Sequence, residues 1–472
     1  MPKVLKKISI IWVLIAVFIL KEAMWVAIIP PRDAPDELGH YGYVESLFYE
    51  RGLPLLGETK YSQRTQVAGA GEFFSAGVEV NAYRPGNQLN WIAQHPPFYY
   101  LLLLPFFSVL PHYDVMFSIF ILRFFSVLLG AVTLYFSWKT LEKLGMDSTG
   151  GASRNNAALF NAAVIGAIAF LPMFSYISAV LNNDNLLGAF SAILIYMLID
   201  YCDNGASYGR MVVLGIVMGI LALTKATALP LFGVAAAAFV MRFLVVFKKR
   251  VFFEALTAFG VALLFAGWWY ARNYHFFGVF VPELKDAIAG HPSLLEQNPS
   301  LITLFPELGG AAKGAFSFWE FLFNRGFIVE YFKNIWGAFG RFFTQLNQWQ
   351  YFAATLFTLI GACGWGFGIK IKRDRPRVGH VMGKIILGLV LAVYFSAITI
   401  AIYRISSERG YLSAMHGRYF LPALLPFFYF IVRGWERIVP KKAQPLLFTL
   451  MIGFFIANDI AALLYVVIPA LY

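Results

Sequence analysis

Apolar and polar positions fall in long blocks along this chain, not in short alternations. Apolar runs of the length needed to cross a bilayer recur from end to end. They place spans at about Ile8–Ile29, Val115–Ser137, Asn161–Val180, Leu186–Tyr201, Met211–Ala228, Leu231–Val246, Phe252–Tyr270, Phe352–Ile369, Ile385–Ile402, Tyr419–Val432 and Leu446–Val467. One further run, Phe98–Leu110, is apolar but short and bounded by Pro97 and Pro111. It reads as a half-inserted, re-entrant helix that returns to the side it left. Two long polar stretches interrupt the pattern, residues 31–111 and 274–350, and a long loop of this kind is unusual unless it works. The expectation is an all-α polytopic membrane protein: a single transmembrane domain over 1–472 with about eleven spans. Juxtamembrane and re-entrant helices belong to the first outer loop, and no soluble C-terminal domain is expected.

Composition agrees with that class. Of the 472 residues 59% are hydrophobic and only 14% charged, against about a quarter charged in soluble domains. The net charge of +12 does not point to nucleic acid, because Lys and Arg cluster in short loops as the positive-inside rule requires. With the Phe98 segment not crossing, Lys3, Lys6, Lys7, Lys139, Lys143, Lys248–Arg250, Lys370–Arg377 and Arg433–Lys442 all fall on one side. The N-terminus is then cytosolic and both long loops are outside, in a multi-pass protein of the cytoplasmic (inner) membrane. The first span is too long for a signal-peptide core and lacks a small-residue cleavage site, so it reads as retained. Cys202 and Cys363 lie in or beside apolar runs and imply neither a disulfide framework nor a thiolate metal site.

Chemistry concentrates just after the first span. The stretch Pro30–Gly42 packs Asp33, Asp36, Glu37 and His40 beside the membrane surface, where carboxylates are costly unless they have a task. Pro30 and Pro31 end the first helix and Pro35 suits the first turn of a new one. Asp36 and Glu37 would lie at its positive end, with His40 one turn from Asp36 on the same face. The plain alternative is a capped surface helix. Elsewhere on the same predicted face stand Asp184 with Asn182 and Asn183, Lys225, Arg272 with Asn273, and His416 with Arg418. Each has an ordinary alternative as well: a helix cap for Asp184, a snorkelling side chain for Lys225, interfacial anchors for the two arginines.

Taken in order, these segments resemble the motifs of GT-C superfamily membrane glycosyltransferases. Asp36-Glu37-x-x-His40 resembles their Asp-Glu pair in the first outer loop, and Gly52-Leu53-Pro54 follows. His95-Pro96-Pro97 resembles a Lys/His-Pro-Pro motif that opens a juxtamembrane helix, and Leu181–Leu186 a second outer acidic motif. Thr224-Lys225, Trp269–Asn273 with Gly278, and Gly417–Pro422 look like a bacterial branch of predicted membrane glycosyltransferases related to protein O-mannosyltransferases and aminoarabinose transferase. The chain departs from many relatives in lacking their soluble C-terminal domain.

The resemblance implies transfer of a sugar from a polyprenyl-phosphate-linked donor to a hydroxyl acceptor at the outer, periplasmic face, usually with inversion. The acceptor would be a cell-envelope glycan, a lipid or a protein. Asp36 takes the place of the catalytic base, with Glu37 and His40 orienting it, binding sugar or holding a metal. No cofactor is required; the Asp36, Glu37, His40 spacing allows one divalent ion, Mg²⁺ or Mn²⁺. Arg272 and Arg418, assisted by Lys225, would hold the donor phosphate. Asp184, His95, Asn273 and His416 are the expected substrate contacts. Membrane lipids are partners by construction. Two other classes remain open at this stage: a lipid-linked-sugar flippase or transporter, and a non-catalytic envelope-assembly subunit.

Overall fold

A computed structural model of the chain describes residues 9–31, 33–70, 83–111, 114–145, 154–290, 294, 316–340, 344–367 and 378–472. Two of the expected basic clusters, Lys3–Lys7 and 370–377, lie outside the described residues, as does much of the second long loop. The described chain is helical almost throughout. α1 (Ile10–Ile28) is followed by α2 (Glu37–Glu50), α3 (Gln63–Ala70), α4 (Phe98–Phe107), α5 (Val115–Gly145), α6 (Arg154–Ala169) and α7 (Pro172–Ser178). Then come α8 (Asp184–Asn204), α9 (Tyr208–Ala222), α10 (Pro230–Val246), α11 (Lys249–Phe277) and α12 (Leu284–Gly290). The last part holds α13 (Phe327–Trp336), α14 (Gln348–Phe367), α15 (Val378–Arg409), α16 (Leu424–Ile438) and α17 (Gln444–Ala462).

This is a polytopic membrane protein, and the described residues hold fewer full-length spans than the expected eleven or so. Among the described residues seven helices are long and apolar enough to cross a membrane: α1, α5, α8, α10, α11, α15 and α17. The count rises to eight if the bent α6–α7 pair is one span. α9 and α16 form where expected but have only 15 residues each, about 22 Å against a hydrocarbon thickness of about 30 Å. α14 opens on Gln348 and Gln350, polar residues that shorten its apolar part. α16 is drawn against α14 by small residues: a side chain at Gly364 or Gly434 would collide with the facing helix backbone.

The segment expected as one span over Asn161–Val180 is broken. α6 stops at Ala169, Pro172 cannot continue it, and α7 departs at 63°. A break inside a bilayer orphans backbone carbonyls. Lys21 of α1 meets one of them, donating to the Ala169 carbonyl and to Ser175 Oγ, both at 2.6 Å. It also pairs with Glu22 at 2.8 Å and with Asp459 of α17 at 3.4 Å. Lys21, together with Asp459, which accepts the Ser175 hydroxyl at 2.7 Å, thus fastens a broken helix to its neighbours.

The first loop is itself built. α4 is ten residues long with Pro105 inside it, about 15 Å, too short to cross. It packs against α2. A small antiparallel hairpin pairs Lys60–Ser62 with Pro85–Leu89. Asn90, which follows it, donates to the Gly39 carbonyl of α2 at 2.9 Å. The described part of the second loop contains α12, α13 and a short strand pair, Ala338–Phe339 with Thr344–Gln345.

Candidate active site

Asp36 is the N-cap residue of α2, yet its side chain does not cap that helix. The backbone there is left-handed, φ 63°, a conformation that Asp tolerates better than most residues. The turn aims the carboxylate away from its own helix and into an ion pair with Arg418, Nη2 to Oδ2 at 2.6 Å. Arg418 lies in the 3-10 segment Gly417–Ala423 that leads into α16. Gly417 is needed for its position, because a Cβ there would collide with the Asn334 carbonyl of α13.

Arg418 also reaches Asp184, Nε to Oδ2 at 3.2 Å. Asp184 is the first residue of α8, and the Asn182 side chain accepts its backbone N–H at 2.8 Å. The other Asp184 oxygen accepts Lys225 Nζ at 2.7 Å, where the chain breaks between α9 and α10. Lys225 stands over the Tyr419 ring, 4.9 Å from its centroid. Four charges therefore form one chain, Asp36–Arg418–Asp184–Lys225, contributed by the ends of four separate segments. Asp184 is fully buried, Arg418 and Lys225 are nearly so, and only Asp36 keeps substantial exposure, 29% of its side chain. Burial pushes the Asp36 carboxyl up, but Arg418, with smaller contributions from His40 and His416, outweighs it and holds the carboxyl well below the usual carboxylate range.

His40 lies on the first turns of α2 and is buried. Its Nδ1 is 2.9 Å from the Tyr100 hydroxyl, and its ring stacks near His95 at 6.3 Å. Tyr100 stacks on Tyr43 with centroids 3.7 Å apart, and the Tyr43 hydroxyl donates to the His95 carbonyl at 3.1 Å. Burial pushes the His40 imidazole down to about 3, so it is neutral at ordinary pH. His416, edge-on to Tyr419 at 5.1 Å, is likewise pushed down to about 3 by burial, with Arg418 adding to it.

Three expected site residues make other contacts in this structure. Glu37 was expected beside Asp36 in the chemistry or on a metal. Its carboxylate is instead fully buried and spent on Arg123 of α5, which donates Nε at 2.7 Å and Nη2 at 2.6 Å. The Leu181 backbone N–H adds a third bond at 2.9 Å. Arg123 also donates to the carbonyls of Val26, Ile29 and Pro30, tying the exit of α1 to the start of α2. Among the described residues no three His, Cys, Asp or Glu side chains gather closely enough to hold a metal ion.

Arg272 was expected on the donor phosphate with Arg418. It stacks over Trp269, 4.9 Å from the centroid, and donates to the Leu53 and Pro54 carbonyls at 3.3 and 3.0 Å. It thereby clamps the Gly52-Leu53-Pro54 turn to α11. Asn273, expected as a substrate contact, is buried and donates to the Phe280 carbonyl at 3.1 Å, closing the turn after α11.

Arg123 is the residue that sequence reasoning missed. A lone charge inside the apolar run 115–137 was the available signal, since such a residue needs a partner.

Neither a protein-family profile nor a curated protein matches the chain. Among solved structures it is similar to ArnT from Cupriavidus metallidurans bound to undecaprenyl phosphate, at 13% identity and a TM-score of 0.47, over 98% of this chain and 73% of that one. It is also similar to the Archaeoglobus fulgidus oligosaccharyltransferase in complex with Zn and sulfate, at 12% identity and a TM-score of 0.49, over 94% of this chain and 53% of that one. The chain thus spans about half the length of the oligosaccharyltransferase. Likenesses of this strength decide neither family nor activity.

Proposed function

We propose that this protein is a membrane glycosyltransferase that moves a sugar from a polyprenyl-phosphate-linked donor to a hydroxyl acceptor at the outer face of the membrane. The observation that carries the reading is the buried Asp36–Arg418–Asp184–Lys225 chain at one end of the bundle, with only its terminal carboxylate open to approach. It joins four of the segments that resemble glycosyltransferase motifs.

The arrangement supplies both halves of the reaction. Asp36 accepts the proton of the acceptor hydroxyl as that oxygen attacks the anomeric carbon. The bond from that carbon to the phosphate oxygen breaks on the opposite face, which inverts the configuration. Arg418 and Lys225 take the charge that develops on the leaving phosphate. Asn182 Nδ2 and Asn183 Oδ1, buried without a hydrogen-bond partner among the described residues, leave polar capacity for substrate beside Asp184.

One conflict has a physical resolution. A carboxylate held strongly ionised is a weak proton acceptor. An arriving phosphate competes with Asp36 for Arg418, and when the guanidinium turns to the phosphate the Asp36 carboxyl becomes more basic. Donor binding then switches the base on. His40 stays neutral and, hydrogen-bonded to Tyr100, fixes the polar wall beside Asp36. Glu37 positions the loop through Arg123. The test is transfer from a lipid-linked donor by purified protein. Loss of transfer in Asp36→Asn with the fold intact supports the reading, and full activity in that variant refutes it.

A further inference from the structure

At the end of α8 away from Asp184 lies a second concentration of charge. α8 has 21 residues, so the two ends are roughly 30 Å apart, about the thickness of a hydrocarbon core. There a cavity of about 410 Å³ opens between the C-terminal ends of α8 and α10 and the N-terminal ends of α9 and α11. Arg210, Arg242, Lys248 and Arg250 line it, against a single acid, Glu254.

That acid is already committed. One Glu254 oxygen accepts Arg250 Nε and the other the Tyr201 hydroxyl, both at 2.8 Å. Arg242 donates to the Cys202 carbonyl at 2.9 Å and pairs with no carboxylate among the described residues. Lys248 has no partner among the described residues, and the Arg210 contact to Asp200 is long, 3.4 Å, with Lys143 sharing that carboxylate. Two helix N-termini face the same place with no acidic residue in the first turn of either, which adds positive dipole ends to the cations.

Exposed apolar side chains border the lining residues in sequence: Phe247, between Val246 and Lys248, sits in a left-handed turn at the end of α10 and is 73% exposed, and Phe252, next to Val251, and Leu244 are 64% and 56% exposed. A strongly cationic, partly enclosed cleft flanked by exposed aliphatic and aromatic side chains fits an amphiphile with an anionic head. We propose that this cleft binds the phosphate headgroup of an anionic membrane lipid, with the acyl chains lying along α10 and α11. The site is separate from the donor site and does not depend on the transferase reading.

The test uses the delipidated full chain in detergent and native mass spectrometry with three probes: phosphatidylglycerol, phosphatidylcholine and inorganic phosphate. The wild type should retain phosphatidylglycerol selectively. Arg210→Ala with Lys248→Ala, both at exposed positions, should bind it roughly thirty-fold more weakly, since each cation at a membrane surface contributes about five-fold. Asp36→Asn should retain it unchanged. Equal retention of both phospholipids, or unchanged binding in the double variant, would overturn the proposal. Displacement of the lipid by millimolar inorganic phosphate would overturn the lipid assignment and leave a simple anion site.

Discussion

Arg418 and Asp36 are 382 positions apart in sequence and 2.6 Å apart in space. The pair joins the first loop to the segment before α16, so the candidate base and the candidate phosphate cation are set by one contact. Asp36→Asn removes the charge at almost constant shape. A general base contributes about 10²–10⁴-fold, and transfer should fall on that scale with donor binding preserved. Asp33, whose described polar contacts are both through its backbone, its N–H with the Pro30 carbonyl and its carbonyl with the Tyr176 hydroxyl, is the control, and Asp33→Asn should be mild. Rates measured with a matched lipid-linked donor decide it; a dead Asp33 variant beside an active Asp36 variant would reassign the base.

Glu37 should behave differently from its neighbour. It and Arg123 are both completely buried, and removing one partner of such a pair costs about 3–5 kcal/mol because the other charge is left uncompensated. Glu37→Gln should therefore lower the melting temperature of the purified protein, and Glu37→Gln combined with Arg123→Met should recover part of the loss. A Glu37→Gln protein of wild-type stability but abolished transfer would put Glu37 back among the reacting groups.

The contrast between Asp36 and Glu37 marks how far the sequence could be read. The block pattern of apolar residues located nearly every helix, and the ordered motifs located the end of the bundle where charges meet. Which acid meets which cation was not legible. Glu37 and Asp36 are adjacent, of the same chemistry and equally close to the membrane; a left-handed turn at Asp36 sends one carboxylate to Arg418 and leaves the other facing α5. Arg272 shows the same limit. Its type and its place after two Trp residues suit phosphate, and nothing in the sequence signals that its Nη2 donates to the Leu53 and Pro54 carbonyls. The break at Pro172 was in the sequence but hidden inside a run of sufficient length, and its rescue by Lys21 depends on contacts 148 positions away.

Gly417 offers a test of positioning apart from charge. Any side chain there must displace the Asn334 carbonyl of α13, and Arg418 would move with it. Gly417→Ala should weaken donor binding while leaving Arg418 in place chemically. Donor affinity by titration, with helical content checked by circular dichroism, tests this; wild-type affinity would show that the segment has room to adjust.

The last prediction concerns pH and the proposed exchange of Arg418 between Asp36 and the donor phosphate. In the free protein burial raises the Asp36 carboxyl but Arg418, helped by His40 and His416, lowers it more, leaving it below the ordinary value of about 3.9. Folding thus depresses this pKa, so the stabilisation from the pair is present above the unfolded value and is lost as pH falls through the folded one. The acid limb of kcat/KM, which reports the free enzyme, should accordingly lie below the usual carboxylate range. The limb of kcat reports the donor complex. If the phosphate draws Arg418 away, burial is left less opposed and that limb moves to higher pH. Arg418→Gln removes the cation in both states, so the kcat/KM limb should rise and the gap between the two limbs should close. Profiles of both parameters for wild type and Arg418→Gln, at saturating and limiting donor, give the comparison. Coincident limbs in the wild type would mean that Arg418 stays on Asp36 throughout, and the switch would be wrong even if Asp36 proves to be the base.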